Sequence, residues 1–331
     1  MCGIVGYIGD REATPILLEG LKRLEYRGYD SAGIAVLTNG KITIKKESGK
    51  ISQLEKLLED DHLAGKLGIA HTRWATHGHP TKLNAHPHSD CQGRLALIHN
   101  GIIENYASIK TKLAAAGHKF TTDTDTEALV HLIEEYYTNG TMLEEAVRAA
   151  LSQVEGTYGI AVISKTEPDT LVAARKGSPL VVGMGENEYV VASDVSAIIS
   201  HTKDVTYLED NEIAVINRDK VVIKTVDNLE VNKKIEKIAF DLEKIEKSGY
   251  DHFMLKEIME QPQTIEDSMR GRLLEEEGTA RLGGIRHELD SLVYAPQILI
   301  SACGTSWHAA LIGEYLFEEF ARTPVEVEYA S

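Results

Sequence analysis

The sequence predicts an α+β fold: two antiparallel sheets packed face to face, with helices outside. Three observations lead there: many short apolar runs, a strong hairpin signal joining two of them, and two blocks of helical periodicity between them. Residues 2–9 (CGIVGYIG) and 31–37 (SAGIAVL) read as short buried strands. Between them, Ile16, Leu17, Leu21 and Leu24 fall on one helical stripe in 15–24. Asn39-Gly40 lies between the apolar runs 34–37 and 42–44, which predicts a two-residue hairpin and hence antiparallel pairing. Strands are again expected at 67–70 and 94–99, with a loop rich in Pro, His and Asn at 75–91. Helices follow at about 105–116, 126–137 and 142–152; the second opens on Thr124-Asp125-Thr126-Glu127, a capping-box pattern. Five further strands are expected at 158–164, 170–174, 189–192, 212–217 and 220–226, the last two joined by a tight turn at Arg218-Asp219.

The composition shifts beyond this point. Lys, Glu and Asp dominate 227–250, as in a linker or a solvated helix. A helical pattern returns at 252–270. Then come a buried strand at 296–302, the turn Cys303-Gly304-Thr305-Ser306, a helix to about residue 321 and a strand at 324–329. A β-α-β unit has begun, and alone it would leave apolar faces uncovered. The expectation is a first domain over 2–225, a linker over 226–250, and the truncated start of a larger α/β domain over 251–331.

Length and composition narrow the functional classes. A chain of 331 residues suggests about two domains. No apolar run approaches the roughly 18 residues that would span a bilayer, and the start has no basic leader. Three scattered cysteines fit a reducing compartment. The net charge of −16, with no Lys/Arg cluster, argues against nucleic acid. A cytoplasmic protein handling small molecules, with no membrane partner, is expected.

Five local features carry chemistry. Removal of Met1 would leave Cys2 with a nucleophilic thiol and an α-amine of pKa about 7.7–8.0, a nucleophile and a base on one residue. Otherwise Cys2 is a small residue starting a strand. Asn100-Gly101, at the end of a strand, forces a sharp exit and offers an amide NH2 beside an unshielded backbone N–H; it is either an oxyanion-binding pair or a plain turn. His71-Thr72-Arg73-Trp74-Ala75-Thr76-His77-Gly78 bunches a guanidinium, an indole, hydroxyls and imidazoles. Arg73 suits a bidentate grip on a carboxylate, or a surface ion pair. Asp125, at a helix start, suits an ammonium or a simple N-cap. Cys303-Gly304-Thr305-Ser306 suits a phosphate at a helix N-terminus, or is a strand-to-helix turn capped by Ser306. His71, His77, His79, His86 and His88 match no zinc-protein spacing, so no metal is expected there, and Cys91 reads as a bystander thiol.

In order along the chain stand Cys2-Gly3-Ile4-Val5-Gly6, Arg27-Gly28-Tyr29-Asp30-Ser31-Ala32-Gly33, His71 to Gly78, His99-Asn100-Gly101 and Thr124-Asp125-Thr126-Glu127. Together they resemble the class II glutamine amidotransferase domain, an N-terminal-nucleophile hydrolase. Leu24-Glu25-Tyr26-Arg27-Gly28-Tyr29-Asp30 and Lys256-Glu257-Ile258-Met259-Glu260-Gln261-Pro262 look most like its glutamine–fructose-6-phosphate aminotransferase (isomerizing) branch, and Cys303 to Ser306 like the opening of that branch's sugar-isomerase domain. The resemblance implies a four-layer αββα sandwich for 2–225. It implies Cys2 as nucleophile through its own amine, Asn100 and Gly101 as oxyanion hole, Arg73 on the glutamine carboxylate and Asp125 on its ammonium. Trp74, Thr76, His77 and Arg27 would line or order the pocket. It also implies no cofactor, a homodimer for the full-length enzyme, and transfer of ammonia to fructose 6-phosphate to give glucosamine 6-phosphate. Thr305 and Ser306 would touch the sugar phosphate. With most of the sugar-isomerase part absent, glutaminase without amino-sugar synthesis is expected.

Overall fold

The computed structural model describes residues 2–59, 61, 63–75, 78–238, 249–269, 272–274, 278–280 and 288–330. The chain divides into two compact units, Met1–Ser248 and Gly249–Ser331.

In the first unit the strands are β1 (Gly3–Gly9), β2 (Ser31–Thr38), β3 (Lys41–Ser48), β4 (Leu67–Arg73), β5 (His88–Ser89), β6 (Leu95–Ile103), β7 (Gly156–Ser164), β8 (Thr170–Lys176), β9 (Val181–Gly185), β10 (Glu188–Ala192), β11 (Asp204–Tyr207), β12 (Glu212–Asn217), β13 (Val221–Thr225) and β14 (Glu236–Lys237). The helices are α1 (Ala13–Arg23), α2 (Ile51–Glu59), α3 (Tyr106–Ala115), α4 (Asp125–Tyr136) and α5 (Leu143–Leu151). One sheet runs β14-β11-β9-β10-β1-β4-β2-β3 and the other β13-β12-β8-β7-β6-β5, with antiparallel neighbours.

Alternation along the strands builds the layers. In β1, Val5 and Tyr7 pack with Leu17 and Leu21 of α1, while Ile4 and Ile8 face Ile98 and Ile163 of the other sheet. In β6, Leu97 packs with Leu129 and Ile133 of α4, while Ile98 joins the intersheet core. Three apolar layers thus separate helix, sheet, sheet and helix, which is the αββα arrangement. Both faces of the central strands are covered, and β1 and β4 are buried throughout.

The hairpin signal at Asn39-Gly40 is realised: both residues have positive φ, 51° and 74°, and β2 pairs with β3 from Thr38 and Lys41. Asn100-Gly101 behaves differently from its sequence reading. The strand does not exit there, but continues to Ile103 in register with β7. Gly101 has φ 125°, and a Cβ at this position would collide with the Thr157 carbonyl. The glycine permits close approach of two strands, a requirement that no local pattern distinguishes from a turn. At α4 the capping box is half formed. Thr124 Oγ1 accepts from Glu127 N at 3.3 Å, but the Glu127 carboxylate reaches back to Thr121 N and Thr122 N, at 2.8 and 2.7 Å.

Strands β9, β11, β5 and β14 have no counterpart in the sequence reading. β14 extends the edge of the eight-stranded sheet through Val205↔Glu236, inside the stretch read as a linker; 239–248, the rest of its charged run, lie outside the described residues. In the second unit, Ile298–Ala302 and Val325–Tyr329 pair in parallel across helix Gly304–Leu316, as the β-α-β pattern predicts. The first of these strands is half exposed rather than buried as its apolar run predicts, with Leu299 at 65%. Cys303, not Ser306, is the N-cap. Among the described residues no helix is long and apolar enough to cross a membrane.

Candidate active site

Cys2 immediately precedes β1, which is held between β4 and β10 by Gly3↔Thr72, Ile4↔His71 and Val5↔Ala192. Ile4 N donates to Ser193 Oγ at 3.0 Å, and Ser193 N donates to Ile4 O at 3.1 Å. A chain end that would ordinarily fray is thereby fixed inside a sheet. The end of β4 brings Trp74 alongside: its backbone N–H donates to Cys2 Sγ at 3.1 Å, and the thiol points back to Trp74 O at 3.4 Å. Burial pushes the Cys2 thiol above its ordinary pKa; the Trp74 N–H and the Arg73 guanidinium oppose this without overcoming it. A neutral thiol at rest must lose its proton to a base as it attacks.

From the facing sheet, Asn100 Nδ2 donates to Cys2 O at 3.2 Å. The Asn100 Oδ1 lies 2.8 Å from His71 Nε2. With the amide so oriented, His71 donates from Nε2, and its Nδ1 is buried without a hydrogen-bond partner. Burial holds the His71 pKa down at about 3, so the ring is neutral near pH 7. His71 stacks on His86 at 4.3 Å, and His88 meets His86 edge-on at 4.7 Å. Thr126 Oγ1 lies 3.3 Å from His86 Nε2 and 3.0 Å from His99 Nδ1. Buried imidazoles therefore connect Asn100 to the first turn of α4.

That turn carries Asp125. Thr124, not Asp125, caps the helix, which frees the Asp125 carboxylate to accept the Ile103 N–H at 2.8 Å. Asp125 is thus pinned beside the end of the strand that carries Asn100 and Gly101, and it is 4% exposed. Arg73 is equally buried, so the reading of a surface ion pair does not hold. Its Nη1 and Nη2 donate to the His79 and Gly78 carbonyls, each at 3.2 Å. Burial lowers the Arg73 pKa, while the charges of Asp30, Cys2 and Asp125 act to raise it, so these groups share one electrostatic field.

Sequence reasoning missed two supports, Asp30 and His71, although both stand inside recognisable motifs. Asp30 N donates to Arg73 O at 2.7 Å, and Asp30 Oδ2 accepts Ala75 N at 2.5 Å. These bonds fix the exit of β4 and so aim the Trp74 N–H at the thiol. Arg27 Nη1 donates to Ser193 Oγ at 3.2 Å, bracing the residue that holds Ile4. The Trp74 side chain is half exposed. Thr76 and His77 lie outside the described residues. Thr305 and Ser306 belong to the second unit, exposed on the first turn of helix Gly304–Leu316.

Residues 58–251 match the glutamine amidotransferase domain family. The chain is 58% identical to a glutamine–fructose-6-phosphate aminotransferase (isomerizing) of Chlorobaculum tepidum, all of the chain aligning with 55% of that protein. It is 54% identical to the same-named protein of Bacteroides thetaiotaomicron, again over the whole chain and 54% of the relative. The chain spans about half the length of the curated relatives it matches. Among solved structures it is similar to an allosteric regulatory enzyme of purine biosynthesis, at 32% identity and TM-score 0.59 over 68% of this chain and 49% of that one. It is also similar to the glutamine phosphoribosylpyrophosphate amidotransferase of B. subtilis, at 26% identity and TM-score 0.59 over 98% and 65% of the two chains.

Proposed function

Because this chain belongs to the glutamine amidotransferase domain family, we propose that it hydrolyses the side-chain amide of glutamine at Cys2. The observation that carries the reading is the convergence on Cys2 of the Trp74 N–H at its sulfur and the Asn100 amide at its carbonyl. Arg73 and Asp125, both buried, offer a cation for the glutamine α-carboxylate and an anion for its α-ammonium.

In this reading the α-amine of Cys2, freed by loss of Met1, takes the thiol proton as the sulfur attacks the amide carbon. Asn100 Nδ2 and Gly101 N–H receive the oxyanion. The C–N bond breaks, the proton returns to nitrogen, and ammonia leaves a thioester on Cys2. Water adds to that thioester, and glutamate departs with its α-groups still on Arg73 and Asp125. Arg27 and Trp74 line or brace the pocket.

A glutamine analogue bearing an electrophile should modify Cys2 alone, in chains whose intact mass lacks Met1. Modification of Cys91 or Cys303 instead would reject the assignment. Asn100→Ala should lower kcat roughly 10²–10³-fold with little change in KM, since the lost donor acts on the oxyanion; steady-state kinetics decides.

For the whole protein, the relatives' names support transfer of the glutamine nitrogen to fructose 6-phosphate, and glucosamine 6-phosphate is the product that such a transfer would give. Thr305 and Ser306 would then contribute to the sugar-phosphate site from a sugar-isomerase domain opening in 251–331, and the full-length protein would be a homodimer. The purine enzymes share the fold at lower identity, which favours the amino-sugar branch over a phosphoribosyl one.

A further inference from the structure

Away from the glutamine-binding groups, four side chains from three segments converge. Cys91 stands in the turn between β5 and β6, His118 in the connection from α3 to α4, and His131 and Glu134 one turn apart on α4. Cys91 Sγ lies 3.6 Å from His131 Nδ1 and 3.8 Å from His118 Nδ1. Both ring nitrogens lie 3.2 Å from Glu134 Oε2, and the four atoms fall within 4.8 Å of one another. A tetrahedral zinc ion with Zn–S of about 2.3 Å and Zn–N or Zn–O of about 2.0–2.1 Å requires S···N edges of about 3.5 Å and N···O edges of about 3.3 Å. We propose that Cys91, His118, His131 and Glu134 bind a structural zinc ion.

The surroundings have the chemistry of such a site. Metal-bound imidazoles hand their second ring N–H to a carboxylate. Here His118 Nε2 lies 3.1 Å from Glu135, and His131 Nε2 faces Glu127 at 3.8 Å. Both histidines thus turn Nδ1 inward and Nε2 to an acid. Glu134 Oε2 is also held by Cys91 N–H at 3.0 Å, and Lys119 N–H donates to the sulfur at 3.5 Å. One thiolate, two imidazoles and a single carboxylate favour zinc over magnesium or calcium, which take oxygen donors. His131 and Glu134 are buried while Cys91 is exposed, and Cys91 and His131 border a groove of about 960 Å³ through which an ion enters.

The histidines of this site are not the five of the 71–88 stretch, and no short spacing announces it: its ligands are spread over 44 positions and meet only when α4 lies against the β5–β6 turn. The ion ties that turn and the α3–α4 connection to the helix whose first turn bears Asp125. The assignment does not rest on the glutaminase reading.

The test is titration of the metal-stripped 331-residue chain with Zn²⁺ and, separately, Co²⁺. One ion should bind per chain, Zn²⁺ should raise Tm, and Co²⁺ should give the absorption of a tetrahedral cobalt–thiolate site. Cys91→Ser should abolish the thiolate band, and His118→Ala should lose the tetrahedral spectrum. Cys2→Ala and Cys303→Ala should retain both signals. Glu135→Gln should weaken zinc roughly 10–100-fold. A wild-type chain that binds neither ion, or a cobalt–thiolate band that survives Cys91→Ser, overturns the proposal.

Discussion

Cys2→Ala is expected to abolish glutamine hydrolysis, by roughly 10⁴-fold or more, while leaving the fold unchanged. The side chain supplies the only atom proposed to bond covalently with the substrate. Its structural neighbours depend on it little, because Asn100 donates to the backbone carbonyl of residue 2 and Ile4 is held through Ser193. The two quantities therefore separate: ammonia release in an enzyme-coupled assay should vanish, while Tm moves little. The wild-type rate should climb through neutral pH and level off above about pH 8, as the α-amine becomes a free base. Residual turnover of Cys2→Ala above roughly 1% of wild type would mean that another group attacks the amide.

Acidification from about pH 6.5 to 5 should destabilise the protein steeply, ahead of the titration of most carboxylates. In an unfolded chain each imidazole takes up a proton below about pH 6.5. In the native chain burial holds His71 at about 3, and pushes His86 and His88 well below the ordinary range. The unfolded state thus binds more protons throughout this window, so stability falls as pH falls. Each such group contributes about 1.4 kcal/mol per pH unit well below pH 6.5, or about 4 kcal/mol per unit for three. Against a typical stability of about 5–15 kcal/mol, unfolding is expected near pH 4–5. Glu127, whose pKa is lowered by its hydrogen bonds despite burial, acts in the same direction at lower pH. His131 is raised by Glu127 and Glu134 against its burial, so its contribution is gained as pH falls toward about 6.5 and adds nothing to the slope below it. Urea unfolding at steps between about pH 7.5 and 5 measures the slope, and His86→Phe should remove about a third of it. A flat profile down to about pH 5 would show that these rings titrate normally in the folded chain.

Much of the proposed site is legible in the chain itself, because its residues stand in contiguous strings. Cys2, Arg73, Asn100, Gly101 and Asp125 each sit in a motif short enough to recognise. The scaffold signals are equally local: the Asn39-Gly40 turn, the stripe of α1 and the Thr124 cap. What escapes a sequence reading is longer in range. β9 and β11 are short, and their identity as strands comes from pairing with each other and with β10. The Asn100-Gly101 pair resembles a turn because a glycine accommodating a neighbouring backbone has the same local signature as a glycine reversing the chain.

The sequence by itself determined the layers, since period-two apolar strands and period-3.6 helices leave one economical way to cover two sheets. It also determined which residue types are available for the chemistry. Only the tertiary structure decided their states. Arg73 proved buried, Asp125 proved to be tied to Ile103 rather than capping its helix, and His71 became the neutral donor that fixes the Asn100 amide. The same packing brought Cys91, His118, His131 and Glu134 to one point. Protonation, desolvation and convergence depend on distances between atoms far apart in the chain, and those distances exist only after the two sheets and α4 have packed.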